Sequence, residues 1–236
     1  MNDIHSLLTA GLAALSLSPD KADRLERYAA LLLEQNQVMN LTAITDPLEV
    51  AQKHMLDCAA VLGAADLTGT KKLIDVGTGA GFPGVVLGVC QPELDITLLD
   101  SLKKRLDWLE TVGAELGVPL KTIHARAEEL GRKPEYREQF DVATARAVAD
   151  LRLLSELCLP FVKVGGVFLA MKAENCRDEV DSAARAIQIL GGRLRPAYEY
   201  VIPGTALKRK VVVIEKVAPT PEKYPRRFAK IQKEPL

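Results

Sequence analysis

The sequence lacks the patterns that a disulfide-bonded or zinc-binding protein needs. None of its four cysteines forms a C-x-x-C pair, and its three histidines lie far apart in the chain. Disulfide frameworks and zinc sites require such residues at short, regular spacings. The cysteines are Cys58, Cys90, Cys158 and Cys176, and the histidines are His5, His54 and His124. We therefore predict neither a disulfide framework nor a metal site.

Export and membrane signals are also missing. The N-terminal stretch "LLTAGLAALSLS" has the length of a signal-peptide core, but Asp3 precedes it and no lysine or arginine does. The basic region that opens a signal peptide is therefore absent. The most apolar later stretch, "LLSELCLPFVKVGGVFLAM", contains Glu156, Lys163 and two glycines, which a membrane span tolerates badly. We predict a cytoplasmic protein without a membrane partner.

The chain has no excess of charge, because 31 basic side chains balance 31 acidic ones. Net charge alone thus argues neither for nor against a polyanionic partner. The distribution is uneven, however. Carboxylates dominate the first sixty residues, whereas residues 203–236 hold nine lysines and arginines against three glutamates. The C-terminal end is therefore the basic end.

The length of 236 residues and the hydrophobic content of 48% predict one domain of ordinary size with appendages. Residues 1–66 show helical periodicity, for example at Leu8, Leu12 and Leu15. Within them, "DPLE" from Asp46 to Glu49 is typical of a helix N-terminus. We predict a helical segment over residues 1–66, a main domain over 67–218 and a basic tail over 219–236, in a monomeric protein.

Short apolar strands alternate with helical stretches from Lys71 onward. The strands are "KLIDV", "DITLLD", "LKTIHA", "FDVATAR", "GVFLAMK", "YEYVI" and "KVVVIEK". Such alternation is typical of a mainly parallel sheet with helices on both faces. Only "IPGTALKR" separates the last two strands, which predicts an antiparallel pair. The fold class is therefore α/β.

The stretch "IDVGTGAGFPG" follows the first of these strands with a glycine-rich loop. In such sheets the first loop is rich in glycine so that its backbone can approach a ligand closely. Gly77, Gly79 and Gly81 occupy it, but Phe82 stands where the G-x-G-x-x-G fingerprint needs its third glycine. No G-K-[ST] follows either. The pattern thus favours a cofactor without a pyrophosphate.

Two acidic residues complete the predicted site. Asp100 ends the second strand, where a carboxylate can bind both hydroxyls of a ribose, and Asp75 lies beside the loop, where one can meet an ammonium group. Ribose and ammonium without pyrophosphate fit S-adenosylmethionine. The alternative is a tight turn whose glycines serve only positive φ angles. We favour the cofactor, because strand, loop, helix and second carboxylate agree.

Several motifs in the same order resemble one known family. They are "NLTAI", "KHMLDC", "LIDVGTGAGFPG", "LLDSLKKRLDWLE", "HARAEEL", "ATARAV" and "KYPRRFAKIQKEPL". Together they resemble the RsmG (GidB) family of bacterial 16S rRNA guanine-N7 methyltransferases over nearly the whole chain. The resemblance implies a Rossmann-like class I methyltransferase fold over residues 67–218, with a seven-stranded, mainly parallel sheet. It also implies S-adenosylmethionine as cofactor and 16S rRNA or the small ribosomal subunit as partner.

The resemblance further implies roles for individual residues. Gly77 and Phe82 would line the methionine side of the cofactor, Ala127 and Glu128 would flank its adenine, and Arg146 would border both the cofactor and the reaction cleft as the catalytic residue. The full set of predicted cofactor residues is Asp75, Gly77, Gly79, Gly81, Phe82, Asp100, Ala127, Glu128 and Arg146.

The residues are compatible with methylation of guanine N7. The loop after the fourth strand, "TARAVAD", lacks the [DN]-P-P-[FYW] motif usual in exocyclic amine methylation, and Cys158 lies too deep to serve as the nucleophile of C5 methylation. Guanine N7 has a lone pair and no proton, so its methylation needs alignment rather than a general base. We therefore expect no catalysis by His54 or Asp57, and we expect His124 to be buried.

The basic residues near the C-terminus and at strand ends predict phosphate contacts. The predicted RNA-binding residues are Arg126, Lys208, Arg209, Lys223, Arg226, Arg227 and Lys230. A merely solvated tail is the alternative. Two other functions also stay open on the residues alone: a methyltransferase for proteins or small molecules, and a regulator that binds S-adenosylmethionine without turnover.

Overall fold

The computed structural model of the protein describes residues 3–146 and 149–236. Its first part is helical, as predicted, with α1 at Ile4–Ala14, a 3-10 turn at Pro19–Lys21 and α2 at Ala22–Met39. A second run then continues through α3 (Pro47–Val50), a π-helical segment (Ala51–Leu56), α4 (Asp57–Ala59) and a 3-10 turn (Ala60–Gly63). Asp46 begins this run, because its carboxylate accepts the backbone N–H of Glu49.

Strands and helices alternate through the rest of the chain. In order they are β1 (Lys72–Val76), α5 (Gly84–Cys90), β2 (Asp95–Asp100), α6 (Lys103–Leu116), β3 (Leu120–His124), α7 (Ala127–Leu130), β4 (Phe140–Arg146), α8 (Leu151–Cys158), a 3-10 turn (Leu159–Phe161), β5 (Val162–Ala173), α9 (Arg177–Ile189), β6 (Gly192–Leu194), β7 (Tyr198–Val201), β8 (Lys208–Lys216) and α10 (Phe228–Lys233).

The strands form one sheet in the order β3-β2-β1-β4-β5-β8-β6, with β7 also paired to β8. The first five strands in this order are parallel, and β8 runs antiparallel to β5. The order reverses between β1 and β4, where ligands bind in open α/β sheets. β6 pairs with the C-terminal part of β8 and β7 with its N-terminal part. These two strands therefore share one position, so the sheet has the seven positions that were predicted.

Each face of the sheet is covered by its own hydrophobic cluster. The helices of residues 4–63 pack with α5 and α6 on one face, where Leu25, Tyr28 and Met55 are fully buried. Helices α8 and α9 and the C-terminal segment cover the other face, together with Phe161 and Ile231. The N-terminal helices are thus part of the layer that supports the glycine loop. Within the described residues, no helix combines the length and the apolar character that crossing a bilayer requires.

Two expectations about burial were wrong. His124 is exposed, because it lies at the end of the sheet's edge strand, and its Nε2 lies 3.1 Å from the carbonyl oxygen of Ser101. The second concerns α6. Its sequence "SLKKRLDWLETVGAELG" predicts a buried stripe at Leu102, Leu106, Leu109, Val112 and Leu116. Leu102 precedes the helix as its N-cap and is 51% exposed. The rest of that stripe is buried as predicted, at Leu106, Leu109, Val112 and Leu116.

Candidate active site

The glycine loop between β1 and α5 adopts a backbone that other residues rarely take. Gly77, Gly79 and Gly81 have φ angles of 71°, 58° and 89°, which lie in the left-handed region. Thr78 is held beneath the loop, because its hydroxyl donates to Asp75 over 2.6 Å. The same carboxylate oxygen of Asp75 accepts the N–H of Gly84 at 2.9 Å, where α5 begins. Asp75 therefore ties together both ends of the loop.

Gly79 and Gly81 have different surroundings although both have positive φ angles. A Cβ added to Gly79 would meet only the carbonyl oxygen of Gly77, at 3.9 Å, so open space lies above it. A Cβ added to Gly81 would collide with the hydroxyl of Tyr28 on α2. That hydroxyl donates a hydrogen bond to the carbonyl of Ala80. Gly79 thus leaves room for a ligand, and Gly81 leaves room for the N-terminal helices.

Asp100 lies at the C-terminal end of β2, directly beside the glycine loop. One carboxylate oxygen accepts the N–H of Gly79 at 2.9 Å and the other accepts the N–H of Leu102 at 2.8 Å. Arg105 lies 3.7 Å away as a weak ion-pair partner. Each carboxylate oxygen has a second lone pair. Asp100 is therefore oriented by the backbone and keeps acceptor capacity for hydroxyl groups.

A cavity of about 890 Å³ opens over this loop. Its volume lies in the upper part of the range that small-molecule and cofactor sites occupy. The wall includes residues of the loop, of the N-terminal helices and of the ends of β4, β5 and β7. They are Leu41, Thr42, Ile44, Lys53, His54, Asp57, Gly77, Thr78, Gly79, Ala80, Phe82, Asp100, Ser101, Arg105, Arg146, Met171, Lys172, Ala173, Glu179, Tyr200 and Arg209.

Arg146 joins the glycine loop to the π-helical segment at the centre of this cavity. Its guanidinium carbon lies 4.5 Å from the centre of the Phe82 ring, which is a cation–π geometry. Its Nη1 donates to the carbonyl of Lys53 at 3.2 Å and lies 3.6 Å from a carboxylate oxygen of Asp57. The side chain is 16% exposed. Arg146 is therefore held from three sides with one edge toward the cavity.

His54 is neutral, and both of its ring nitrogens have partners. Nδ1 lies 3.2 Å from Nη2 of Arg146, which can only donate, and 3.1 Å from the carbonyl oxygen of Lys53, which can only accept. Nε2 lies 2.8 Å from the hydroxyl oxygen of Thr42, which can donate or accept. Burial first, and then the charge of Arg146, lower the pKa of His54 to about 4. The ring also stacks on Phe82, with centroids 4.8 Å apart.

Asp57 is buried next to Arg146, and its carboxylate accepts a hydrogen bond from Tyr200 on β7. The Tyr200 hydroxyl donates to one carboxylate oxygen of Asp57 at 2.7 Å. Burial raises the pKa of Asp57 above its ordinary value, although the hydrogen bond from Tyr200 and the charge of Arg146 act in the opposite direction. Burial likewise raises the pKa of Tyr200. The pair thus braces Arg146 rather than offering a free base.

The predicted cofactor residues fall into two groups. Gly77, Gly79, Phe82, Asp100 and Arg146 line the cavity. The others do not line it, namely Asp75, Gly81, Ala127 and Glu128. Asp75 is fully buried below the loop and also lies within 3.3 Å of the Thr144 hydroxyl. Its direct contact with an ammonium group stays a prediction.

The predicted RNA-binding residues are also in different environments. Arg209 lines the cavity, whereas Arg226 is paired with the buried Glu156, with the closest atoms 2.6 Å apart. Arg126 lies over the ring of Phe228 at 5.6 Å. The remaining four are exposed on the surface: Lys208, Lys223, Arg227 and Lys230. Lys208 has a carboxylate partner, Glu174, at 3.3 Å.

Sequence reasoning missed most of the wall opposite the glycine loop. His54 and Asp57 were expected to be bystanders, and Lys53, Lys172 and Tyr200 were not considered as site residues. The available signal was the motif "KHMLDC", which places a basic residue, a histidine and a carboxylate within five positions. Its π-helical segment is a form that often occurs at functional sites.

The cavity fits S-adenosylmethionine by its chemistry. Open space over Gly79, oriented acceptors on Asp100 and a volume of about 890 Å³ suit a nucleoside with an amino-acid extension. The fold and this site define a Rossmann-like class I S-adenosylmethionine-dependent methyltransferase. The chain is similar in fold to TrmN from Thermus thermophilus, with a TM-score of 0.56 and 20% identity over 83% of this chain and 53% of that one. The YcgJ protein of Bacillus subtilis also has this fold, with a TM-score of 0.54 and 14% identity over 70% of this chain and 100% of that one.

Sequence comparison gives the family. A family model described as rRNA small subunit methyltransferase G (GidB) matches residues 21–200. The chain is 46% identical over 240 residues to ribosomal RNA small subunit methyltransferase G of Symbiobacterium thermophilum, covering 98% of each chain. It is 44% identical over 223 residues to the protein of that name from Clostridium perfringens, covering 94% of this chain and 93% of the relative. The chain therefore belongs to the rRNA small subunit methyltransferase G family, and the predicted resemblance is confirmed.

Proposed function

We propose that this enzyme transfers a methyl group from S-adenosylmethionine to N7 of one unpaired guanine in a loop of 16S rRNA. The proposal rests on one observation: the cavity joins the glycine loop and Asp100 to a cluster around Arg146 in which the neighbouring titratable groups are already engaged. That arrangement suits a nucleophile that needs positioning and no deprotonation. The names of the relatives, ribosomal RNA small subunit methyltransferase G, support the same substrate.

The cofactor side of the reaction would be formed by the loop and by Asp100. The open space over Gly79 would take the methionine portion beside Gly77, and Asp100 would accept hydrogen bonds from the ribose. When bound, S-adenosylmethionine supplies a methyl group on a positively charged sulfur. Phe82 would give this region an apolar wall, because it lines the cavity and is only 5% exposed. We keep Ala127 and Glu128 as the residues that flank the adenine.

Arg146 would align the target base with the methyl group. Its position is fixed by Phe82, by His54 and by the carbonyl of Lys53. A residue held in this way can orient a base with little loss of entropy at the moment of reaction. Since N7 carries no proton, Arg146 would not need to exchange one with the substrate.

Each carboxylate of the described cavity wall, and the imidazole of His54, already has hydrogen-bond partners. Asp57 accepts from Tyr200, and Asp100 accepts from the backbone on both oxygens. Glu179 accepts from Lys172 at 2.5 Å and from the N–H of Leu151 at 2.6 Å. This pattern would not suit methylation of an amine that must lose a proton. It therefore favours N7 over the exocyclic amine of guanine.

The wall opposite the glycine loop would receive the RNA. Lys53, Lys172 and Arg209 give it positive charge, and Thr42 and Leu41 come from the loop that follows α2. Phosphate groups next to the target nucleotide would be attracted there. N7 lies in the major groove, which is deep and narrow in A-form RNA, so the target guanine must be unpaired or turned out of its stack.

Transfer of tritium from labelled S-adenosylmethionine tests the proposal. The acceptors would be small ribosomal subunits, free rRNA, protein and a metabolite extract, followed by mass spectrometry of the digested RNA. We expect label in rRNA only, as 7-methylguanosine at one position. A methyl group on N1, N2 or a pyrimidine carbon would refute the mechanism, and label in protein or metabolites would favour another substrate class. Binding of cofactor without any transfer would indicate a regulator.

A matched pair of arginine variants makes the test specific. Arg146→Gln should lower turnover about 100-fold through misalignment of the base. Arg185→Gln, on the exposed side of α9, should leave turnover unchanged. Equal turnover in both variants would show that Arg146 has no role in the reaction.

We also propose that the protein acts as a monomer in the cytoplasm. A ribosomal substrate, as the names of the relatives indicate, supports the location. We keep the division into residues 1–66, 67–218 and 219–236 as a proposal, in which the first part contributes the RNA side of the cavity. Sedimentation of the protein with and without small subunits would test the monomeric state.

A further inference from the structure

The C-terminal segment packs against the loop that connects β3 to β4. We call residues 220–231 the strap. Arg132 of the connecting loop donates through Nε to the carbonyl of Pro225 at 2.7 Å. Arg137 donates to the carbonyls of Tyr224 and Thr220, at 2.8 and 2.6 Å. Two arginines of one loop thus bind three backbone carbonyls of the strap, so the two segments are directly connected.

The strap is also anchored in the protein core. Glu156 of α8 is fully buried, and its carboxylate accepts from the backbone N–H of Arg226 at 2.8 Å and from the guanidinium of Arg226 at 2.6 Å. Ile231 is fully buried and Tyr224 is 6% exposed. A solvated tail would show none of these contacts. The strap therefore has a fixed position from which it can hold the loop.

The strap reaches the helix next to the predicted cofactor site. Arg126, the N-cap of α7, lies with its guanidinium 5.6 Å from the ring of Phe228 in the strap. Phe228 of the strap therefore contacts the residue that begins α7. Arg132, two residues after the end of α7, is bound to the strap as well.

The position of α7 relative to Asp100 follows from the register of the sheet. Asp100 is opposite His124 in the β2–β3 pairing, and the N–H of Ala125 donates to the carbonyl of Asp100 at 3.2 Å. α7 begins only two residues later, at Ala127. If Asp100 binds the ribose, the nucleobase of the cofactor must lie on the side where α7 begins.

We propose that the strap is a positioning element of the cofactor site, which holds α7 in place against the adenine of S-adenosylmethionine. This inference rests on the proposed function, because it takes the adenine to lie beside Ala127 and Glu128. Phe228 and Arg132 are then positioning residues that act through α7. The basic C-terminal segment would serve cofactor affinity in addition to any contact with RNA.

Calorimetric titration of the full-length protein tests this inference. The titrants are S-adenosylmethionine and 5′-methylthioadenosine, which keeps the adenosine portion and lacks the amino acid. Phe228→Ala and Arg132→Met should each raise both dissociation constants by about 5- to 20-fold. Gln232→Ala, an exposed change in the same helix α10, should change them less than twofold. Two independent variants are used so that a folding defect in one does not decide the outcome.

Hydrogen exchange separates positioning from general stability. Peptides covering residues 125–131 should exchange faster in Phe228→Ala, while those covering β1 keep the wild-type rate. Unchanged affinities with a lowered melting temperature would overturn the inference, because the strap would then be only a stabilising element. Loss of affinity for S-adenosylmethionine without loss for 5′-methylthioadenosine would also overturn it. If the wild-type protein bound neither compound, the proposed function itself would fail.

Discussion

The Nη2 atom of Arg146 lies 3.2 Å from Nδ1 of His54, so the only histidine in the cavity wall is used to hold the predicted catalytic arginine. The pKa of His54, about 4, keeps its imidazole neutral at neutral pH, so the ring carries no positive charge that would repel Arg146. The histidine therefore acts in the site through its neighbour.

A flat pH–rate profile is the first prediction. His54 stays neutral down to about pH 4, so its protonation state does not change between pH 6 and 8. The rate at which small subunits are methylated should therefore vary less than twofold over this pH range. His54→Ala should lower the rate about 10-fold without changing this flat profile, since it releases Arg146. His54→Asn keeps an acceptor near the Nδ1 position and should retain most activity. A rate that rises with a pKa near 6.5 would show that His54 is a base after all.

The second prediction concerns Asp75 and the pH dependence of stability. Burial raises its pKa from 3.8 to about 6, so the folded protein holds this proton more tightly than the unfolded chain. This tighter proton binding stabilises the folded protein. Its contribution to the free energy of unfolding is complete below about pH 4 and is lost as pH rises through about 6. Asp75→Asn keeps an oxygen acceptor for Thr78 and Gly84. It should raise the free energy of unfolding by about 1–3 kcal/mol at pH 7.5.

Chemical denaturation at pH 4 and 7.5 checks this expectation, and the gain should vanish at the lower pH. Asp75→Ala, which loses the acceptor, should destabilise at both values. Titration of Asp75→Asn with S-adenosylmethionine gives a separate answer. An affinity loss of more than about 10-fold would support direct contact of Asp75 with the ammonium group, as the sequence predicted.

The third prediction separates Gly79 from Gly81. Gly79→Val should abolish binding of S-adenosylmethionine, because the side chain enters the open space above the loop and strains the backbone at a φ of 58°. Gly81→Ala should instead destabilise the protein by about 2–4 kcal/mol, since its Cβ collides with Tyr28. Calorimetry and thermal unfolding measured on both variants distinguish the two effects. A folded Gly79→Val protein that binds S-adenosylmethionine with wild-type affinity would contradict the assignment.

The fourth prediction concerns the basic residues of the C-terminal segment. Arg227→Gln and Lys230→Gln remove exposed charges, so each should lower the slope of log K against log[salt] for rRNA binding by about 0.7–0.9. Arg226→Gln should leave that slope unchanged. It should instead cost about 3–5 kcal/mol of stability, because the buried Glu156 loses its partner. Filter binding across a salt series, together with denaturation, measures both. A changed slope for Arg226→Gln would show that the pair opens on RNA.

A truncation would be a poor substitute for these variants. Deleting residues 223–236 would remove exposed charges together with the contacts of Tyr224, Arg226 and Ile231. Loss of RNA binding would then be indistinguishable from loss of fold. Single substitutions keep the segment anchored.

The sheet was predictable because local signals agree with its tertiary setting. The central strands are apolar runs of the length that a buried strand needs, and "KLIDV" and "DITLLD" became β1 and β2 with the same boundaries. β6 was missed, because three residues carry no periodicity. Its pairing with β8 depends on the neighbouring strand rather than on its own sequence.

The glycine loop and Asp100 were predictable for a related reason, since each lies at the carboxyl end of a predicted strand, and β1 and β2 are parallel neighbours. The Arg146 cluster was not. His54 and Asp57 reach Arg146 across 92 and 89 positions of sequence, and Tyr200 reaches Asp57 across 143. No local pattern encodes such distances. The environments of the basic C-terminal residues were not predictable for a related reason. A run of basic residues does not show that one of them, Arg226, pairs with a buried carboxylate 70 positions away, Glu156.

The hydrogen bond from Tyr28 to Ala80 makes the N-terminal helices and the cofactor loop a single cooperative unit. Opening the loop requires breaking a fully buried contact with α2, so fluctuations of the two elements must occur together. Ligand binding should consequently slow amide exchange in α2 as well as in the loop, although no ligand atom need touch that helix. A destabilising change in α1 or α2 would in turn appear as weaker ligand binding, and such changes could be mistaken for defects in the binding pocket itself.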